Sequence, residues 1–213
     1  MKKRFVSLLL AFVMCLGLCV PTYAVEENAM NPDMPSGMVG VLTTEDGTQY
    51  TIAGKLIATA QPLSLTDDFS VTYQYDLPAE PRAGGSKTEY GSDGAYASTV
   101  YLTISYSTMD SPPLTAYRLN RVSGYWTISD PKASVESARV SYGCSGRDPS
   151  ASQLRIQTDE KSVSNNFDKA TGFQYYVEDG LGAVLGAHLT VNYLMGTSRR
   201  WSFTLDNILF NNT

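Results

Sequence analysis

The chain has 213 residues, 43% of them apolar and 17% charged, with 16 Lys and Arg set against 21 Asp and Glu for a net charge of −5. An acidic chain whose longest basic run beyond the first four residues is Arg199-Arg200 does not attract phosphate backbones or anionic lipid, so neither nucleic acid nor a membrane surface is an expected partner. Metal sites of the Cys₄ or Cys₂His₂ kind are excluded by counting, since the chain holds three cysteines, two of them in the N-terminal segment, and one histidine.

That segment starts Met1, Lys2, Lys3, Arg4, runs apolar from Phe5 to Val20, and passes Pro21 to end in Thr22, Tyr23 and Ala24. A basic start, an apolar middle and a small-residue finish predict a secretory signal peptide of bacterial type over residues 1–24, cleaved after Ala24. The apolar run is shorter than the roughly 20 residues of a membrane span, so no membrane attachment is expected after cleavage. Removing Lys2, Lys3 and Arg4 leaves 13 basic against 21 acidic side chains, a net −8, and removing Cys15 and Cys19 leaves Cys144 alone. The expected mature protein is therefore secreted, acidic and without an internal disulfide, so its fold depends on a hydrophobic core.

Residues 25–36, "VEENAMNPDMPS", carry two prolines and no period, and predict a disordered leader. A single domain is expected over 37–213, and in it the hydrophobic period is two. "MVGVLTTEDGTQYTIAG" sets an Asp46-Gly47 turn between two strand-like runs, a strong hairpin signal. The only weak helical face lies around Lys55 to Ala60. In "FSVTYQYDL", Val71, Tyr73 and Tyr75 share one face. Residues 77–98, "LPAEPRAGGSKTEYGSDGAYAS", predict a long glycine-rich loop, and loops of that length are usually functional or disordered. "STVYLTISYS" alternates Val100, Leu102, Ile104 and Tyr106 with Thr99, Tyr101, Thr103 and Ser105. "LTAYRLNRVSGYWTIS" predicts a second hairpin turning at Ser123-Gly124, with Tyr117, Leu119, Trp126 and Ile128 inward. "ASVESARVSYGC" places Val135 and, after an irregularity, Ala138, Val140, Tyr142 and Cys144 on one face. "QLRIQT" is a short strand and "KSVSNNFDKATG" a polar connection. A third hairpin is expected about Asp179-Gly180, its second arm turning Leu185, Ala187, Leu189, Val191 and Tyr193 inward and His188 outward. "RRWSFTLDNILF" closes the pattern with Trp201, Phe203 and Leu205. About ten short strands at hairpin spacing predict an all-β fold, an antiparallel β-sandwich or partly open barrel with little helix.

Four groups of residues invite chemistry. "YGCSG" resembles the nucleophile segment of the papain-like endopeptidases that act on cell-wall peptides, and "AHLTVNYLMG" resembles their histidine-bearing strand. The resemblance covers about fifteen residues and implies a secreted cysteine hydrolase with Cys144 as nucleophile and His188 as base. The surrounding residues favour another reading, since Pro149 and the alternation of Leu154 and Ile156 leave no helix after Cys144 to lower its pKa. A buried apolar cysteine and a surface histidine on a sheet are the simpler assignments. The carboxylate pairs at Glu45-Asp46 and Glu178-Asp179 sit in Asp-Gly turns, which already account for them, and no calcium-loop string is present. No cofactor or resident metal is called for. Tyrosine is the compositional excess, 14 against 7 phenylalanines, and Tyr90, Tyr96, Tyr101 and Tyr125 fall in the long loop or on polar faces, where they suit a binding surface. The expected function is thus a secreted, non-catalytic binding domain for a surface glycan or a protein. Two alternatives stand beside it: the Cys144/His188 hydrolase, and an assembly domain that pairs through edge strands.

Overall fold

The computed structural model describes residues 38–60, 68–78 and 96–212, with Tyr96 described in its backbone only. The expected signal peptide (1–24), the expected leader (25–36) and most of the expected loop (79–95) lie outside the described residues.

Twelve strands form two antiparallel six-stranded sheets packed face to face, with no helix among the described residues and no closed barrel. The strands are β1 (Val39–Thr43), β2 (Gln49–Ala53), β3 (Lys55–Ala60), β4 (Phe69–Pro78), β5 (Tyr96–Ser111), β6 (Leu114–Ile128), β7 (Ala133–Arg147), β8 (Leu154–Ser162), β9 (Phe167–Ala170), β10 (Val177–Glu178), β11 (Val184–Met195) and β12 (Arg199–Asn211). One sheet has the order β2-β1-β12-β11-β7-β8; the other runs β10-β6-β5-β4-β3, with β9 also pairing β6.

Alternation decides which side chains meet. Val71, Tyr73 and Tyr75 of β4, Val100, Leu102 and Ile104 of β5, Val140, Tyr142 and Cys144 of β7, Leu185 to Val191 in steps of two on β11, and Trp201, Phe203 and Leu205 of β12 are all buried. Period-two placement turns these residues to the inner face of each sheet. Burying each such large apolar side chain contributes roughly 1.5–3 kcal/mol, offset by the cost of ordering it. The irregularity expected in "ASVESARVSYGC" is a β-bulge: Asn192 pairs Ser137 and Tyr193 pairs Val135, so Glu136 is the extra residue that restores the inward parity of Ala138.

One polar residue ties the two layers together. Asn207 of β12 is 1% exposed and its amide nitrogen donates to the carbonyls of Val71 on β4 (2.9 Å) and Leu102 on β5 (2.8 Å). The Tyr75 hydroxyl donates to the Asp206 carbonyl in the opposite direction across the same core.

The structure departs from the sequence reading at six places. Several strands are long, 13 to 16 residues in β5, β6, β7 and β12, and the described residues hold twelve. Lys55–Ala60 is strand β3, paired with β4, because a free edge of the sheet is available to it. No turn occurs at Ser123-Gly124: β6 runs through it, and the β5–β6 turn lies at Pro112-Pro113. Gly124 is there for close approach, since a Cβ would stand 2.6 Å from the Tyr101 carbonyl and 2.8 Å from the Phe167 ring. Asp179-Gly180 does turn the chain, but from β10 in one sheet to β11 in the other, and the hairpin partner of β11 is β12, reached through Gly196 at φ +70°. Residues 77–78 and 96–98, expected within the long loop, belong instead to the β4–β5 ladder. Within β6, Ile128 is 39% exposed, contrary to its expected inward position.

Candidate functional site

Cys144 and His188 are placed by opposite parities of neighbouring strands. Cys144 is fully buried on the inner face of β7, where its thiol lies 3.5 Å from the Tyr117 carbonyl, and burial pushes its pKa up to about 11. His188 stands on the outer face of β11, opposite Ser141 and not Cys144 in the ladder. The two are on opposite sides of one sheet, so the structure does not assemble the dyad implied by the peptidase resemblance. A thiol buried with a raised pKa is also the reverse of an activated nucleophile.

His188 has a different partner. Its Nδ1 lies 2.6 Å from Asp206 Oδ1 on β12, and that hydrogen bond holds the imidazole pKa above its ordinary value. The carboxylate fixes the proton on Nδ1 and turns Nε2 away toward the outer surface. Around it the ladder sets out a grid. One row reads Glu160, Ser141, His188, Asp206 across β8, β7, β11 and β12. The next reads Thr158, Gly143, Gly186, Ile208, and the one beyond it begins Ile156, Ser145, Val184. The two adjacent glycines leave a bare patch of backbone between filled rows, and a depression of about 480 Å³ opens there. Gly186 has a steric reason to be glycine, because a Cβ would meet the Asn207 carbonyl and the Ile208 Cα, each at 2.7 Å. Gly143 has none of that force, its nearest neighbour being a Thr158 methyl at 3.2 Å.

The tyrosines divide. Tyr90 lies outside the described residues, and Tyr96 pairs Pro78 at the start of β5 with its side chain outside the description. Tyr101 and Tyr125 are brought together as cross-strand partners on the outer face of the other sheet, with ring centroids 4.2 Å apart and planes 13° from parallel. Tyr125 is 41% exposed, and Tyr101 is half-buried, with partial desolvation and the neighbouring phenol raising its pKa. On the β4 side Gln74 is the ladder partner of Tyr101, and its amide donates to both oxygens of Asp76 at 3.0 and 3.1 Å. The Thr99 hydroxyl donates to the same carboxylate at 2.9 Å, and Thr72 and Thr103 share a hydrogen bond of 2.8 Å one row further along. A stacked aromatic pair therefore sits beside oriented amide, carboxylate and hydroxyl groups on the outer face of the sheet.

Several of these residues were missed by sequence reasoning. Asp206 had a readable signal: once the Gly196 turn is recognised, antiparallel counting pairs it with His188. Gln74, Asp76 and Thr99 had none, because their approach to the tyrosines depends on a β4–β5 register set across the unread loop. Among the described residues no three of His, Cys, Asp and Glu come together in a way that could hold a metal ion. Comparison of the chain with protein-family models, with curated proteins and with solved structures gives no match.

Proposed function

We propose that the chain is a secreted, non-catalytic binding module that engages a glycan through the outer face of β4, β5 and β6, centred on Tyr101 and Tyr125. The observation that carries this reading is the stacked tyrosine pair bordered by Gln74, Asp76 and Thr99. Tyrosine supplies rigid contact area at low entropic cost, and a sugar ring has an apolar C–H face to lay against it and hydroxyls for the flanking polar groups. Asp76 is held in one orientation by three hydrogen bonds and keeps lone pairs that can accept from a ligand hydroxyl. Secretion rests on the basic and apolar N-terminal segment. A glycan array probed with the protein and with Tyr101→Ala and Tyr125→Ala tests the reading. Binding of at least one glycan class that both substitutions abolish is expected; no bound glycan, or binding indifferent to both, overturns it.

A specific observation favours assembly through an edge as the second reading. Leu154 and Ile156 on edge strand β8 are 69% and 71% exposed, and an apolar edge invites pairing with another strand. Sedimentation of the protein and of Ile156→Pro over a range of concentrations separates the two: a concentration-dependent dimer lost in the variant supports assembly, and a monomer throughout removes it.

A further inference from the structure

We propose that the depression over Gly143 and Gly186, on the sheet remote from the tyrosine pair, is a second binding site, shaped for one saccharide unit. It involves other residues on another sheet, so it stands or falls independently of the tyrosine face. The geometry comes from the ladder. Rows two residues apart lie about 6.7 Å apart along a strand, so omitting the side chains of one row separates the walls on either side by roughly 13 Å. The wall on one side is Ser141 and His188, that on the other is Ser145 and Val184, and Thr158 and Ile208 close the ends. The resulting volume, about 480 Å³, falls within the roughly 300–1,000 Å³ of small-molecule sites.

The chemistry of the lining selects among ligands. Its two carboxylates are already matched, Glu160 to Arg139 at 2.9 Å and Asp159 to Lys161 at 2.9 Å, and His188 is engaged at Nδ1 by Asp206 at 2.6 Å. The charges of Glu160 and Asp159 are thereby balanced by Arg139 and Lys161, and the lining carboxylates exert no strong pull on an anion or a cation. An extended peptide has no backbone to pair with here, because the depression lies in the middle of a sheet whose N–H and C=O groups are used by neighbouring strands. What remains are the hydroxyls of Ser141, Ser145 and Thr158, which both donate and accept, and the outward Nε2 of His188, which accepts in the neutral ring and donates in the protonated one, together with apolar contact at Val184, Ile208 and the bare glycine floor. A neutral ring with hydroxyls on its rim and C–H bonds on its face is the ligand class that satisfies both.

The single histidine supplies a unique reporter. NMR titration of the labelled protein with the methyl glycosides of glucose, mannose, galactose and N-acetylglucosamine is the test. At least one of the four is expected to shift the His188 ring signals and the Gly143 and Gly186 amides saturably, and Gly143→Val, which fills the floor, to weaken that binding at least tenfold. Should Gly143→Val fail to fold, Ser141→Ala combined with His188→Gln removes the polar wall in its place, with the same loss read at the glycine amides. The proposal is overturned if none of the four glycosides moves these signals, if the shifts persist in the variant that folds, or if they are confined to Tyr101 and Tyr125.

Discussion

Asn207→Asp replaces an amide that donates to two carbonyls with a group of equal size that, ionised, can only accept. The side chain is 1% exposed, and its two bonds join β12 to β4 and β5. Each lost bond costs roughly 0.5–1.5 kcal/mol, and a buried carboxylate facing two carbonyls without a cation adds several more, for a total of about 3–5 kcal/mol at pH 7. For a domain of this size that corresponds to a fall in Tm of roughly 6–20 °C. The pH dependence has a definite sign. Burial raises the new carboxyl's pKa above its unfolded value of about 3.9, so the folded state binds the extra proton. The deficit is then smallest near and below pH 4, where the neutral carboxyl can donate one hydrogen bond, and grows as pH rises toward the folded-state pKa. Urea unfolding of the protein and the variant at pH 4 and pH 7, with Asn207→Leu as a control that loses the donors without gaining charge, measures this. A variant within about 1 kcal/mol of the parent at pH 7, or a deficit unchanged between the two pH values, refutes the role of Asn207 as a tie between sheets.

Other consequences are open to measurement. With its pKa at about 11 against an ordinary 9.0, Cys144 has roughly a hundredfold less thiolate at pH 8 than an exposed cysteine. Iodoacetamide followed by mass spectrometry should label it slowly in the native protein and fast in urea, and fast native labelling contradicts its burial. The raised pKa of His188 means that its pairing with Asp206 stabilises the fold below the unfolded imidazole pKa and that this contribution fades as pH rises through the folded value. Since both side chains are substantially exposed, the effect is less than about 1 kcal/mol, and NMR titration of Asp206→Asn should return His188 to an ordinary pKa. Gly186→Ala forces a methyl against the backbone of β12 and should cost about 1–3 kcal/mol in thermal or urea unfolding. Gly143→Ala, whose new methyl meets a Thr158 methyl at 3.2 Å and the Gln157 carbonyl only at ordinary contact distance, 3.5 Å, should stay within about 1 kcal/mol, and equal losses in the two would refute the difference in backbone approach.

Inward and outward assignments were legible wherever a strand kept strict alternation, as in Val100 to Ile104, Leu185 to Tyr193 and Trp201 to Leu205. Each of those runs reports its own orientation without reference to a neighbour. Sheet membership was not legible. Asp179-Gly180 makes a turn whether the next strand returns to the same sheet or crosses to the other, and the difference lies in which edge of β6 or β7 is open to receive it. Gly124 misled for a related reason: glycine marks both turns and close contacts, and only the positions of the Tyr101 carbonyl and the Phe167 ring distinguish them. The tyrosines illustrate the same limit at the candidate site. Polar parity marked Tyr101 and Tyr125 separately, while their contact follows from the β5–β6 register, which a bulge with Asn120 as its extra residue shifts by one. The glycine-floored depression needed three registers at once, across β8, β7, β11 and β12, and so left no local trace beyond two glycines at outward positions.

The measurement that bears most directly on recognition by the tyrosine face is NMR of protein carrying ¹³C-labelled tyrosine, titrated with oligosaccharides released from bacterial cell-surface polysaccharide. The ring signals of Tyr101 and Tyr125 are predicted to shift together and saturably while those of the buried Tyr75 and Tyr193 stay still, with Tyr125→Ala weakening the interaction by about tenfold or more, equivalent to about 1.4 kcal/mol. Ring signals of Tyr101 and Tyr125 that do not move at saturating oligosaccharide, or an affinity unchanged in Tyr125→Ala, would contradict it.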